Sequence, residues 1–305
     1  MPQQTVTMYE HLKEVTGAFA EGKFEFMLVS GSAGLSKSYT MRSKLGDRAH
    51  WITGNASPFQ FYKDGWQFSV ENQLAKSGVV KPGLLVIDDC DELLAQRVGL
   101  NLLKSYCQTD DEKLIGWNTA SKQLKDEGIP KQYRFTGQVC VISNDYHATT
   151  RHLKAVIDRG LMVICKFSAA EVHRNVGSWW PQNKGGKNPF DREVFEFIGD
   201  HLHLIAEPSM RNYLVGAQAR RGNLDWRAIL FETFGLTEQH LVVHRIMNDP
   251  RLNGEERVRE FERATGMSRA TFFRIQGELK GLKVGVPIEK KKRPPSDEPP
   301  LSNAV

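Results

Sequence analysis

Val29-Ser-Gly31-Ser-Ala-Gly34-Leu-Ser36-Lys37-Ser38 follows an apolar run, Phe24-Glu-Phe-Met-Leu-Val29, and precedes a helical pattern from Tyr39 to Leu45. Strand, glycine-bearing turn and helix in this order make the context of a phosphate-binding loop. Glycines let backbone N–H groups turn inward around a polyphosphate, and the helix N-terminus adds its dipole. Lys37 is placed to reach the β and γ oxygens and Ser38 to join Mg²⁺. The candidate nucleotide contacts are therefore Gly31, Ser32, Ala33, Gly34, Leu35, Ser36, Lys37, Ser38 and Tyr39. The usual G-x-x-x-x-G-K-[ST] pattern has glycine where this chain has Ser36, whose side chain must fit close to the phosphates. Taken alone, the stretch is also compatible with an ordinary βα turn carrying a solvated lysine.

Further along, Gly83-Leu-Leu-Val-Ile-Asp88-Asp89-Cys-Asp91 reads as a buried strand ending in carboxylates. In an open α/β sheet both motifs emerge at the carboxyl edge, where ligands bind. Asp88 is the candidate for holding the hydration shell of Mg²⁺, Asp89 is the candidate base for the attacking water, and Asp91 is expected to cap the following helix. A third run, Gly137-Gln-Val-Cys-Val-Ile-Ser-Asn144, ends in a carboxamide able to bond a water or the γ-phosphate. Strand-ending Ser-Asn is equally an ordinary turn signal.

The chain has 305 residues, 40% hydrophobic and 25% charged, which excludes disorder, collagen and a single small module. Short apolar runs at Ala49 to Ile52, Leu84 to Ile87, Val139 to Ile142 and Leu161 to Phe167 alternate with helical patterns, notably Asp91 to Tyr106. This alternation predicts an α/β fold, a mostly parallel sheet with helices on both faces. A leading helix is expected over Tyr9 to Phe19, and helical patterns return at Asp191 to Ile205, Ser209 to Arg221 and Trp226 to Phe234. Cys90, Cys107, Cys140 and Cys165 form no CxxC pair and read as reduced, mostly buried thiols. No stretch approaches a membrane span, and the N-terminus lacks a signal-peptide pattern. A soluble, unprocessed cytoplasmic protein is expected.

Together these residues resemble the AAA+ P-loop ATPases. Gly31 to Ser38 is similar to Walker A, Leu84 to Asp89 to Walker B, and Val139 to Asn144 to the sensor 1 strand. Leu153-Lys-Ala-Val-Ile-Asp-Arg159-Gly lies where that family places an arginine finger, and Pro208-Ser-Met-Arg211-Asn-Tyr-Leu opens a helix in the manner of sensor 2. The stretches around Trp51 to Tyr62 and Asp88 to Leu94 are similar to family members encoded by bacteriophages and mobile elements, which would place the protein in a bacterial host cytoplasm. The resemblance covers roughly residues 24 to 235 and departs at Ser36 and at Asp89, where the family carries Gly and Glu. It implies ATP and Mg²⁺ as cofactors, Lys37, Asp89, Asn144 and Arg159 as catalytic residues, Ser38 and Asp88 at the metal, and Arg211 at the nucleotide. It also implies a homo-oligomer, ring or filament, in which Arg159 acts across a subunit boundary. Ser36 places a side chain close to the phosphates and Asp89 is one methylene shorter than Glu, so slow hydrolysis is expected from these two departures.

Residues 241 to 293 hold 13 Lys/Arg against 7 Asp/Glu, so the net charge of +5 is a C-terminal excess. Asn253 to Leu279 has the layout of a helix-turn-helix, with Val258, Phe261 and Ala264 as an apolar stripe, Thr265-Gly266-Met267 as turn and Ser268 as N-cap. Ser268, Arg269, Thr271, Arg274 and Lys280 are the candidate DNA contacts, with Gln276 and Lys283 alongside. Phe272, Ile275 and Leu279 are expected inside. The expected division is an ATPase core over 1–178, a helical lid over 179–236, a helix-turn-helix unit over 237–284 and a disordered basic, Pro-rich tail over 285–305. The leading functional reading is a Mg-dependent ATPase acting on DNA in replication, helicase loading or transposition, with a replication or recombination protein as a further partner. The alternatives are a nucleotide-dependent DNA-binding regulator or adaptor with little turnover, and a protein-remodelling ATPase whose C-terminal unit grips a protein.

Overall fold

The computed structural model describes residues 3–74, 83–108, 110, 113–118, 122–144, 155–183 and 187–280. Leu153 and Lys154, Lys283, and the tail with its run Lys290 to Arg293 lie outside the described residues. The chain divides into two compact units between Phe234 and Gly235.

The first unit is α/β, built on a six-stranded sheet. Its strands are β1 (Gln3–Val6), β2 (Phe26–Ser30), β3 (Ala49–Thr53), β4 (Gly83–Asp88), β7 (Gly137–Ser143) and β8 (Leu161–Cys165), in the spatial order β1-β8-β2-β7-β4-β3. Every neighbouring pair is parallel. The central strands are apolar at successive residues because both faces are covered. Phe26, Leu28, Leu85, Ile87, Val139 and Val141 pack into one cluster with Phe61 and Tyr62 of helix Pro58–Leu74 and with Leu103 and Tyr106 of helix Arg97–Tyr106. The alternate residues Met27, Val29, Leu84, Val86, Cys140 and Ile142 are equally buried on the other face. On that side Gln138 Nε2 donates to Phe19 O at 2.7 Å, tying β7 to α1 (Tyr9–Ala20), which packs beside α2 (Lys37–Leu45). The four cysteines are free and buried.

Several elements depart from the sequence expectation. β1 carries only one buried residue, Val6, and exists because β8 offers it an edge: the register runs Gln3↔Met162 to Val6↔Cys165. An antiparallel pair, β5 (Lys113–Gly116) with β6 (Gln132–Phe135), is inserted in the chain between the carboxylate-bearing β4 and the carboxamide-bearing β7. The expected helix over Asp91 to Tyr106 is two, Asp91–Ala95 and Arg97–Tyr106, broken at Gln96, whose backbone is extended. The pieces approach so closely that a Cβ on Gly99 would stand 2.1 Å from Leu93 O. The N-cap there is Cys90, without a side-chain cap, and not Asp91, which is the first helical residue. An unanticipated helix, Ala169–Trp179, starts at Ser168, whose side chain accepts from Glu171 N. Helices Arg192–Asp200, Arg211–Arg221 and Trp226–Thr233 complete the unit. Among the described residues no helix is long and apolar enough to cross a membrane.

The second unit comprises helices Glu238–Met247, Gly254–Thr265 and Arg269–Leu279 around Val243, Ile246, Val258, Phe261, Phe272, Ile275 and Leu279. Ala264, expected in the apolar stripe, is exposed. Gly266 ends the middle helix in the left-handed conformation (φ 69°), where glycine carries no Cβ penalty, and Ser268 caps the last helix.

Candidate functional site

β2 ends at Ser30 and the chain turns through Gly31 to Ser36 into α2. Gly34 (φ 79°) is left-handed, and Ser36 holds the same region at φ 53° and ψ 31°, where a glycine would carry no strain. Inside the turn Lys37 is buried at 5% exposure. Its Nζ donates to Gly31 O at 2.5 Å, to Ser32 O at 2.9 Å and to Asn144 Oδ1 at 3.0 Å. Three acceptors match the three protons of the ammonium.

The sheet register brings the other strand ends here. Ser30 pairs with Ser143 and Asp88 with Ile142, so Asn144 stands one residue past the edge, between β2 and β4. Its carboxamide accepts from Lys37 and donates to Asp89 Oδ1 at 3.0 Å. Ser38 Oγ donates to Asp88 Oδ1 at 2.7 Å. Burial pushes the Asp88 carboxyl above its ordinary value and the neighbouring Asp89 adds to this, while the Ser38 hydrogen bond, Arg42 and Lys37 pull it back. Arg42 Nη2 lies 3.9 Å from Asp88 Oδ2 with its guanidinium 3.8 Å above the Trp51 ring. Asp89 itself is exposed and left-handed, φ 54°.

A cavity of about 310 Å³ opens here, lined by Gly34, Leu35, Ser36, Lys37, Ser38, Tyr39, Asp89, Ile142 and Asn144 together with Trp179, Met210, Arg211 and Leu214. Of the expected nucleotide contacts, Gly31, Ser32 and Ala33 are outside this lining, and the first two serve Lys37 through their carbonyls. Arg159 is elsewhere. Met27 of β2 pairs with Leu161 of β8, so Arg159 precedes β8 at the edge where the strands begin, opposite the loop. It is exposed and its Nη1 donates to Lys104 O at 2.8 Å. The site also uses residues not legible in the sequence. Tyr9 OH donates to Leu35 O at 2.9 Å, and its backbone N donates to Glu171 Oε1 at 2.9 Å. Trp179, which no motif marks, and Met210, the residue before Arg211, also line the cavity.

The residues fit a magnesium nucleotide. Mg²⁺ is a hard cation that takes oxygen ligands and keeps several waters, and Ser38 with Asp88 presents two oxygens side by side at the phosphate loop. A buried ammonium and a left-handed glycine turn suit a polyphosphate.

In the second unit, Arg269 forms a two-pronged pair with Glu255, Nη1 to Oε2 at 2.7 Å and Nη2 to Oε1 at 2.9 Å. Arg274 Nη1 donates to Glu278 Oε1 at 2.5 Å. Ser268 is engaged as the cap, Thr271 is half-buried, and Lys280 follows the helix, exposed. Residues 241–280 contain eight Lys/Arg against six Asp/Glu, whereas 281–293 contain five against one. Residues 281–305 as a whole hold five Lys/Arg against three Asp/Glu, so the described residues 241–280 and those beyond them carry the same excess of two.

No family model matches the chain. An uncharacterized 36.7 kDa protein of the nrdC-mobD intergenic region of Enterobacteria phage T4 is 27% identical over 162 residues, 48% of this chain and 46% of that protein. The chain thus spans about half the length of the curated relative it matches. NtrX from Brucella abortus in complex with ADP is similar with a TM-score of 0.45 at 14% identity, covering 88% of this chain and 68% of that one. The same protein in complex with ATP gives a TM-score of 0.37 at 14% identity, covering 92% and 69%.

Proposed function

We propose that the first unit binds ATP with Mg²⁺ and hydrolyses it as an AAA+-type ATPase, and that the second unit engages DNA. The observation that supports this best is the pair of hydrogen-bonded sets, Lys37–Asn144–Asp89 at 3.0 Å and Ser38–Asp88 at 2.7 Å, side by side at the carboxyl edge of three adjacent strands. Lys37 is already held inside the loop, so it meets a phosphate by exchanging carbonyl and carboxamide partners for phosphate oxygens, with little reorganisation. Ser38 and Asp88 would hold Mg²⁺, which when bound screens the charge of the β and γ oxygens. Asn144 fixes Asp89 beside the cavity, where its carboxylate takes a proton from the attacking water directly or through a second water. Arg211 lines the same cavity and would stabilise phosphate charge.

Arg159 cannot serve its own cavity from the opposite sheet edge, so its role requires a second copy that presents it to a neighbour's phosphates. ATP binding would then join protomers and hydrolysis would release them. On the DNA side, the last helix of the second unit presents Arg269, Arg274 and Lys280, and the basic residues beyond Lys280 add phosphate neutralisation. The reading extends to a role in phage or mobile-element replication, helicase loading or transposition, of which the relative in phage T4 supports the phage connection.

A second reading, a nucleotide-dependent DNA-binding adaptor with little turnover, is favoured by Asp89 alone. It is the shorter carboxylate, and its backbone is held left-handed. Phosphate release measured with and without single- and double-stranded DNA, over a range of protein concentrations, separates the two. Turnover that rises with protein concentration supports the enzyme; tight ATP binding with no turnover supports the adaptor.

A further inference from the structure

The phosphate loop is fastened to the residues that open helix Arg211–Arg221. Met210 N donates to Gly34 O at 2.9 Å. A Cβ on Gly34 would stand 2.1 Å from Ser209 Oγ, so the approach requires glycine. Ser36 Oγ donates to the Met210 sulfur. The next residue, Arg211, lines the cavity. Ser36 keeps a left-handed backbone that glycine would adopt without strain, and what serine adds at that position is this side-chain hydrogen bond.

We propose that Ser36 is a positioning residue for Arg211. Its hydroxyl holds Met210, buried at 6% exposure, against the loop, and thereby sets the first turn of helix Arg211–Arg221, whose Arg211 lines the cavity. The departure from glycine then couples the loop to Arg211, and nucleotide affinity gains from Arg211 through Ser36. The inference rests on the nucleotide reading above. Its competitor is crowding, in which the serine side chain only stands too near the phosphates.

The two make opposite demands on a double-mutant cycle. Binding of the fluorescent analogue mant-ATP with Mg²⁺ would be measured for the full chain, Ser36→Gly, Arg211→Ala and the double variant. Arg211→Ala is expected to weaken binding about tenfold in the native background, as removal of a charged hydrogen bond does, and about threefold or less beside Ser36→Gly. Met210→Leu keeps the apolar volume and removes the sulfur acceptor, so it should shrink the Arg211→Ala penalty in the same way. If Ser36→Gly does not fold, the Met210→Leu arm carries the test. An undiminished Arg211→Ala penalty in both backgrounds, or tighter binding by Ser36→Gly with the penalty unchanged, overturns the positioning role and leaves the nucleotide reading standing. Absence of mant-ATP binding by the unaltered chain overturns both.

Discussion

Ser38 Oγ and Asp88 Oδ1 are 2.7 Å apart, joining the first turn of α2 to the last residue of β4. The bond fastens a strand end to a helix start from different parts of the chain, and it brings together the two side chains that would hold the metal. It also lets Asp88 remain buried, since an ionised carboxylate out of water needs a donor.

Asp88→Asn separates stability from function. Burial raises the Asp88 pKa above the ordinary 3.8, so the folded state favours the neutral acid, and ionised Asp88 detracts from stability. That penalty is absent below the unfolded value near 3.8 and fully present once pH exceeds the raised folded value. The amide still accepts from Ser38 and carries no charge. Thermal melts should therefore show Asp88→Asn at least as stable as the native chain at pH 7, with the difference vanishing near pH 4. Mg²⁺-dependent ATP binding should be abolished under the same pH 7 conditions.

Asp89→Asn and Asn144→Ala should leave ATP affinity within a few-fold and reduce turnover, because neither supplies the buried ammonium. A positioned general base is worth on the order of 10²–10⁴ in rate, so single-turnover assays should show Asp89→Asn at about a hundredth of native turnover or below. Asn144→Ala should fall between, since it frees Asp89 and removes one of the Lys37 partners.

Arg159→Ala should bind ATP normally and fail in ATP-dependent assembly. Because Arg159 lies at the sheet edge opposite the loop, its effect can be supplied by another chain. Mixing Arg159→Ala, which has an intact loop, with Lys37→Ala, which has an intact Arg159, should restore part of the ATPase activity neither shows alone. Arginine fingers contribute on the order of 10³–10⁵ in rate, so even a minor population of mixed assemblies would register. No recovery on mixing would place Arg159 in an ordinary surface role.

If the second unit engages DNA as proposed, the Arg269–Glu255 fork would compete with phosphate for the guanidinium. Glu255→Gln should raise affinity for double-stranded DNA a few-fold at low salt, and Lys280→Ala should lower it. Deleting residues 281–305, which hold five Lys/Arg, four of them in the run Lys290 to Arg293, should flatten the dependence of log Kd on log salt. Equal binding by all three variants would move the nucleic-acid interface away from this unit.

The parts of the fold written in apolar runs were legible in the sequence. β2, β4, β7 and β8 need hydrophobic residues at successive positions because both sheet faces are covered, and the ends of the first three fix Lys37, Asp88 and Asn144 in one place. β1 was not legible because Gln3-Gln-Thr-Val6 owes its pairing to an open edge of β8 and not to its own composition. The break at Gln96 was hidden because Leu93, Leu100 and Leu103 continue a helical period across it. At the site, the loop and strand ends were readable from short spacing, whereas Tyr9, bonded to Leu35 O, and Trp179 arrive from distant segments by tertiary packing, with no local signal. The helix pattern of the second unit was readable, but the pairing of Arg269 with Glu255, fourteen residues apart, was not.

On the proposed reading, the loop from Gly31 to Ser38 binds a magnesium nucleotide through Lys37. Isothermal titration of ATP with Mg²⁺ into the full chain and into Lys37→Ala tests it most directly. Saturable binding is expected for the native chain, weakened at least about tenfold in Lys37→Ala, since a charge-assisted hydrogen bond to phosphate is worth roughly 1.5–3 kcal/mol. Equal binding by the two chains would contradict it.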